Sequence, residues 1–187
     1  ISLGWRGSDL YKNYLNKNQE LPNWTKPKPL EKYSIENLSK ADIKPVEIKI
    51  NENIFEFSFD PTLSGKEEKK VTGLINLPTQ TEISNKKFPL VVLVRGYVDQ
   101  SIYQTGVGTK RVGEYLADNN YITLAPDFLG YGGSDDESGN IFESRFQTYT
   151  TVLTLLKSIE SPVHAKALVE AGWDGENIFL WGHSNGG

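Results

Sequence analysis

Residues 177–187 read NIFLWGHSNGG, and the fold of the whole chain turns on how they are interpreted. Gly182-His183-Ser184-Asn185-Gly186 fits the pattern G-x-S-x-G, and Ile178-Phe179-Leu180-Trp181 supplies a buried β-strand directly before it. A serine between two such glycines sits where a strand turns sharply into a helix. A side chain at either glycine would crowd the neighbouring backbone, and the serine itself is held in a strained conformation. The turn lifts the hydroxyl clear of the sheet, and the helix behind it aims backbone N–H groups at developing negative charge. These residues predict Ser184 as a nucleophile, with Gly182 and Gly186 as the glycines that permit its turn.

A strand of that kind needs a sheet to stand in. Phe88-Pro89-Leu90-Val91-Val92-Leu93-Val94 is apolar on both faces, which suits a central parallel strand covered by helices on both sides. It runs into Arg95-Gly96-Tyr97. A nucleophilic serine of this type draws a second oxyanion donor from the loop after such a strand. Gly96 allows close backbone approach, so the N–H of Tyr97 pairs with that of Asn185 as the candidate donors; an ordinary strand-ending turn is the plainer alternative. Upstream, Val46, Ile48 and Ile50 alternate with charged residues, and Phe55, Phe57 and Phe59 alternate after a turn at Asn51–Asn53, a hairpin signal. Lys66–Lys70 reads as a charged loop and Val71–Leu77 as a strand closed by Pro78. Downstream, the spacing predicts a helix over Lys110–Asn119, a strand over Tyr121–Ala125, a glycine-rich loop from Pro126 to Gly139 and a helix over Ser144–Ile159. Ser161-Pro162 reads as the cap and first residue of a further helix that Gly172 ends. The alternation predicts an α/β fold with a mostly parallel sheet and an N-terminal β-hairpin.

Residues 1–45 read differently. Pro22, Pro27 and Pro29, with Asn23, Lys26 and Lys28, predict an extended arm, which Trp5 and Trp24 could pin to the folded body at 46–187. Composition narrows the chemistry. The net charge of −4 argues against a general nucleic-acid binder, and it is uneven. Residues 1–90 carry 14 basic and 12 acidic side chains, and residues 91–187 carry 6 and 12, giving +2 and −6. Cysteine is absent, which excludes disulfides, thiolate metal sites and a cysteine nucleophile. No metal site and no cofactor are expected. Asp127 reads as a residue that holds its loop in shape, and Asp135-Asp136-Glu137 as a solvated acidic turn. No window is apolar for long enough to span a membrane, and no leader is visible. Methionine is absent even at position 1, which together with the arm leans slightly towards a secreted or envelope protein, with a cytoplasmic one as the alternative.

Three segments in order, FPLVVLVRGY, NNYITLAPDFLGYGGSD and NIFLWGHSNGG, resemble α/β-hydrolases of the prolyl oligopeptidase and dienelactone-hydrolase-like group. The resemblance covers about residues 70–187. It implies an α/β-hydrolase fold, Ser184 as nucleophile, and Tyr97 and Asn185 as oxyanion donors. Arg95 departs from it, because relatives usually carry histidine before that glycine. A serine needs a base, and the base an orienting carboxylate. Of the two histidines, His183 adjoins Ser184 and should point away from it, while His164 reads as surface or packing. Serine, acid, histidine is the superfamily's chain order, so the triad acid and histidine are expected not in this chain but after Gly187. On that reading the C-terminal remainder of the same hydrolase is required, pairing alongside residues 177–181. The expected activity is acyl-enzyme cleavage of a small ester or peptide substrate, with a prolyl oligopeptidase-like peptidase first and a carboxylesterase as the alternative. The rival class is a non-catalytic binding protein on the same scaffold.

Overall fold

Six strands form one sheet in the order β1-β2-β3-β5-β4-β6: β1 Lys49–Asn51, β2 Ile54–Phe59, β3 Lys69–Asn76, β4 Phe88–Val94, β5 Ile122–Pro126 and β6 Trp173–Gly182. The helices are α1 Ile35–Lys40, α2 Lys110–Asp118, α3 Ile141–Ile159 and α4 Lys166–Glu170. The computed structural model describes residues 29–79 and 86–187. The chain divides into two units, Ile1–Glu31 and Lys32–Gly187, and the second carries all that follows. Trp5, Pro22, Trp24 and Pro27, the expected features of the arm, lie outside the described residues.

The two-sided apolar run is central, as its pattern requires. Phe88, Leu90 and Val92 of β4 join Ile122 and Leu124 of β5 and the three phenylalanines of β2 in one core, which Leu155 and Ile159 of α3 and Leu168 of α4 complete. Val91 and Leu93 face the other way, with Leu74 and Ala125, under Val112 and Leu116 of α2. Helices thus cover both faces, and each large side chain so buried contributes about 1.5–3 kcal/mol.

The sheet is mixed rather than mostly parallel. The pairs β1–β2, β2–β3 and β3–β5 are antiparallel, and β4–β5 and β4–β6 are parallel. The reason lies in the connections. Short links reverse the chain between β1, β2 and β3, whereas β4, β5 and β6 are joined through helices, which return the chain to run in the same direction. The strand order, the parallel β4–β5 and β4–β6 pairs and the turn that ends β6 fit the α/β-hydrolase fold that the sequence resembles.

Local boundaries moved for identifiable reasons. Helix α3 starts at Ile141 rather than Ser144, because the Asn140 side chain accepts hydrogen bonds from the N–H groups of Phe142 and Glu143. Ser161 does not cap a helix. Its hydroxyl is bonded to the ring of His164 and its carbonyl accepts from His164 and Ala165 N–H, so a turn precedes α4. The stretch read as an arm contains α1, whose first turn is capped by Ser34.

Strand β6 is longer than expected and less buried. It begins at Trp173, shifts register against β4 between Phe88 and Leu90, and then pairs from Leu90↔Ile178 to Val94↔Gly182. Among the described residues no strand flanks its outer edge. Phe179 and Leu180, expected in a buried strand, are therefore 50% and 60% exposed.

Candidate active site

The end of β6 and the end of β4 lie side by side, and their pairing brings the two sequence signals together. His183 N–H donates to the Val94 carbonyl at 3.2 Å, which carries the parallel register one residue beyond the strand. Ser184 follows with φ +55°, in the left-handed region that costs an L-residue about 1–2 kcal/mol. The chain then closes into a single 3₁₀ turn, Ser184–Gly186, with Gly186 N–H donating to the His183 carbonyl at 2.9 Å. Both glycines are required by contact. A Cβ on Gly182 would overlap the Gly186 carbonyl, and one on Gly186 would overlap the carbonyls of Val94 and Arg95.

Gly96 is constrained less severely. A Cβ there would come within 3.0 Å of the Ser184 Cβ, so the loop after β4 passes directly against the serine. The backbone N–H groups of Tyr97 and Asn185 have no acceptor among the described residues. Unpaired N–H groups beside a hydroxyl are a ready receptor for a ligand oxygen. A cleft of about 680 Å³ opens alongside, lined by Gly96, Tyr97, Phe128, Tyr131, Arg145 and Asn185 among others. Arg145, on the second turn of α3, donates to the Asn185 carbonyl at 3.2 Å and ties that helix to the serine turn. No sequence signal marked it, because the contact spans 40 residues.

Behind the loop lies a buried polar cluster. Asp127 is fully buried, and its carboxylate accepts from the hydroxyls of Thr72 at 2.6 Å, Tyr103 at 2.6 Å and Thr105 at 2.9 Å. Its side-chain partners are distant hydroxyls rather than the local N–H groups expected of a loop-shaping aspartate. Arg95 lies across the rings of Tyr131, Tyr103 and Phe128 at 4.0, 4.7 and 5.2 Å, and donates to the carbonyls of Gly96 and Asp127. Burial, then the hydrogen bond to Asp127 and its charge, push the Tyr103 hydroxyl well above the usual phenol range, so it stays a donor. Burial also raises Tyr131, against the opposing pull of Arg95.

The remaining expected residues are placed as follows. The His183 ring stacks on Trp181 with centroids 6.1 Å apart. His164 Nδ1 lies 2.7 Å from the Ser161 hydroxyl, and its carbonyl accepts from Ile48 N–H beside the hairpin. The acidic turn is more engaged than expected: Asp135 accepts from Lys70 N–H, and Glu137 from Gln100 and the Ser144 hydroxyl. Among the described residues no cluster of three or more histidine, aspartate or glutamate side chains could hold a metal, and no helix is long and apolar enough to cross a membrane.

No protein-family model and no curated protein matches the chain. Several solved structures are similar in fold. Est1E of Butyrivibrio proteoclasticus, solved with ferulic acid, is 24% identical, with 63% of this chain and 40% of that one aligned and a TM-score of 0.43. The rice cell wall degrading esterase LipA of Xanthomonas oryzae is 16% identical over 80% and 38% of the two chains, with a TM-score of 0.48. A carbohydrate esterase family 15 glucuronoyl esterase of Caldicellulosiruptor kristjansonii is 14% identical over 76% and 38%, with a TM-score of 0.45. The chain thus spans 38–40% of the length of these structures. Likeness at this distance assigns the chain no activity.

Proposed function

We propose that this chain carries the nucleophile and oxyanion site of a serine esterase. The observation that carries the reading is the backbone of Ser184, held at φ +55° between two glycines that admit no side chain, at the end of a sheet strand. Strain of this kind is costly to keep and accompanies function. Ser184 Oγ attacks the carbonyl carbon of the ester, and the carbonyl oxygen becomes an oxyanion that accepts from Tyr97 and Asn185 N–H. Collapse expels the alcohol and leaves an acyl-serine, which water hydrolyses to the acid and free Ser184.

Both descriptions of the chemistry, ester and peptide, use the same nucleophile. Leaving-group chemistry favours the ester, because an alcohol departs with less help from a general acid than an amine does. A base and an orienting carboxylate must still complete the site. Among the described residues no histidine or carboxylate is hydrogen-bonded to the Ser184 hydroxyl, His164 being bonded to Ser161 and His183 stacked on Trp181, so those groups are assigned to further polypeptide, covalent or not, alongside β6.

The test uses the full-length protein and a fluorophosphonate probe, with p-nitrophenyl acetate and aminoacyl-p-nitroanilides as substrates. Labelling that maps to Ser184, and ester turnover that Ser184→Ala abolishes, are the expected results. Faster cleavage of the nitroanilides moves the assignment to a peptidase. Absence of labelling and of both turnovers overturns the reading and leaves a binding protein on a hydrolase scaffold.

A further inference from the structure

Arg95 is the feature that the serine site does not by itself explain. It is only 7% exposed, yet it carries a full positive charge into the interior. Burying a guanidinium is expensive, and an apolar side chain could fill the same aromatic cage without that cost. The arrangement even leaves Nε without a partner among the described residues. What the charge does instead is reach two carbonyls, that of Gly96 at 2.9 Å through one terminal nitrogen and that of Asp127 at 2.8 Å through the other.

The Gly96 carbonyl belongs to the same planar amide as the N–H of Tyr97. The chain has no cis peptide bond among the described residues, so in this amide the C=O and the N–H point in opposite directions. Fixing the oxygen fixes the N–H, turned away from the guanidinium. A cationic donor on the oxygen also draws electron density along the amide and makes the N–H a stronger donor. The other end of the clamp is rigid, because Asp127 is held through its carboxylate by Thr72, Tyr103 and Thr105. Tyr103 serves twice, bonded to Asp127 and packed face-on to the guanidinium.

We infer that Arg95 is a positioning residue for the oxyanion site: it clamps and polarises the Gly96–Tyr97 peptide so that the Tyr97 N–H is presented as a donor. The inference rests on the reading of Ser184 and Tyr97 given above. It also accounts for an arginine where the resembling family carries histidine. Arg95 also lines part of the cleft, so an unchanged KM is what separates action through the amide from contact with substrate.

The experiment uses the full-length protein, p-nitrophenyl acetate, and active sites counted by exhaustive fluorophosphonate labelling. Arg95→Met is expected to lower kcat per labelled site by about 10²-fold, the scale of losing one oxyanion donor, with KM within about threefold. The rate of labelling should fall in parallel, since the probe also passes through an oxyanion. Arg95→Lys keeps the charge and reaches fewer acceptors, so its loss should be about tenfold; it carries the test if the methionine variant does not fold. Leu168→Ala opens a cavity in the core beside α4, away from Arg95 and Asp127, and should lower thermal stability while holding kcat per site within about threefold. A purely structural arginine predicts otherwise: fewer labelled sites, but unchanged kcat at each. That result in an Arg95 variant, or an equal kcat loss in Leu168→Ala, overturns the inference. Wild-type protein that does not label at Ser184 overturns the underlying reading first, and is recognised before any variant is made.

Discussion

Ser184 holds a left-handed backbone conformation that an L-serine adopts only under constraint, and the constraint comes from its neighbours. Gly182 and Gly186 let the chain close on itself, and Gly96 lets the next loop approach within contact of the serine side chain. The strain has a consequence for stability. Ser184→Gly removes the Cβ that makes φ +55° unfavourable, so the variant should be more stable than the parent by about 1 kcal/mol. It should also lose all turnover of p-nitrophenyl acetate. Thermal unfolding of the two proteins side by side checks the point, and a glycine variant less stable than the parent would show that Ser184 is unstrained.

Elements in this sheet are joined by links whose own bonding matters. The turn after β2 is organised by Asp60, whose carboxylate accepts from Thr62 N–H and hydroxyl, from Ser64 and from Gly65 N–H. Burial works against the charge, but these hydrogen bonds outweigh it and hold the carboxyl below its usual range. A carboxylate depressed on folding stabilises the native state above its unfolded value of about 3.9, and that contribution is lost as pH falls through the folded value. Asp60→Asn should therefore be less stable than the parent at pH 7, and the gap should narrow at an acid pH below that unfolded value. Urea titrations of both proteins at the two pH values would measure it, and a gap that persists in acid would assign the effect to shape rather than charge.

Across the molecule, the described residues give the sheet one edge at β1 and the other at β6. The β6 edge combines unpaired backbone with half-exposed Phe179 and Leu180, the combination that invites another strand. Residues 1–187 produced alone should self-associate through it. Leu180→Lys places a charge on that edge and should shift the population towards monomer in sedimentation or light scattering. Phe179 is the poorer choice, because its ring packs edge-on against Tyr121. Association unchanged by Leu180→Lys would place the contact elsewhere.

Periodicity and a few special residues made much of this legible beforehand. The seven-residue run of β4 could only be buried on both faces, and the G-x-S-x-G pattern after a strand marked the serine turn. Those are local properties, since the side-chain period and the steric demands of glycine act within a few residues. What local pattern could not carry was direction and distance. Whether β3 runs parallel or antiparallel to β5 depends on which strands become neighbours, so the mixed sheet was not visible in the alternation of strands and helices. The boundary of α4 likewise depended on which partner Ser161 chose. Arg95 and Asp127 are 32 residues apart and meet only because β4 and β5 end together. Arg145 and Asn185 are 40 apart and meet because α3 passes the serine turn. A one-dimensional pattern records what each residue can bury or bond, whereas the choice of partner is made by the packing of elements that the chain brings together from far apart.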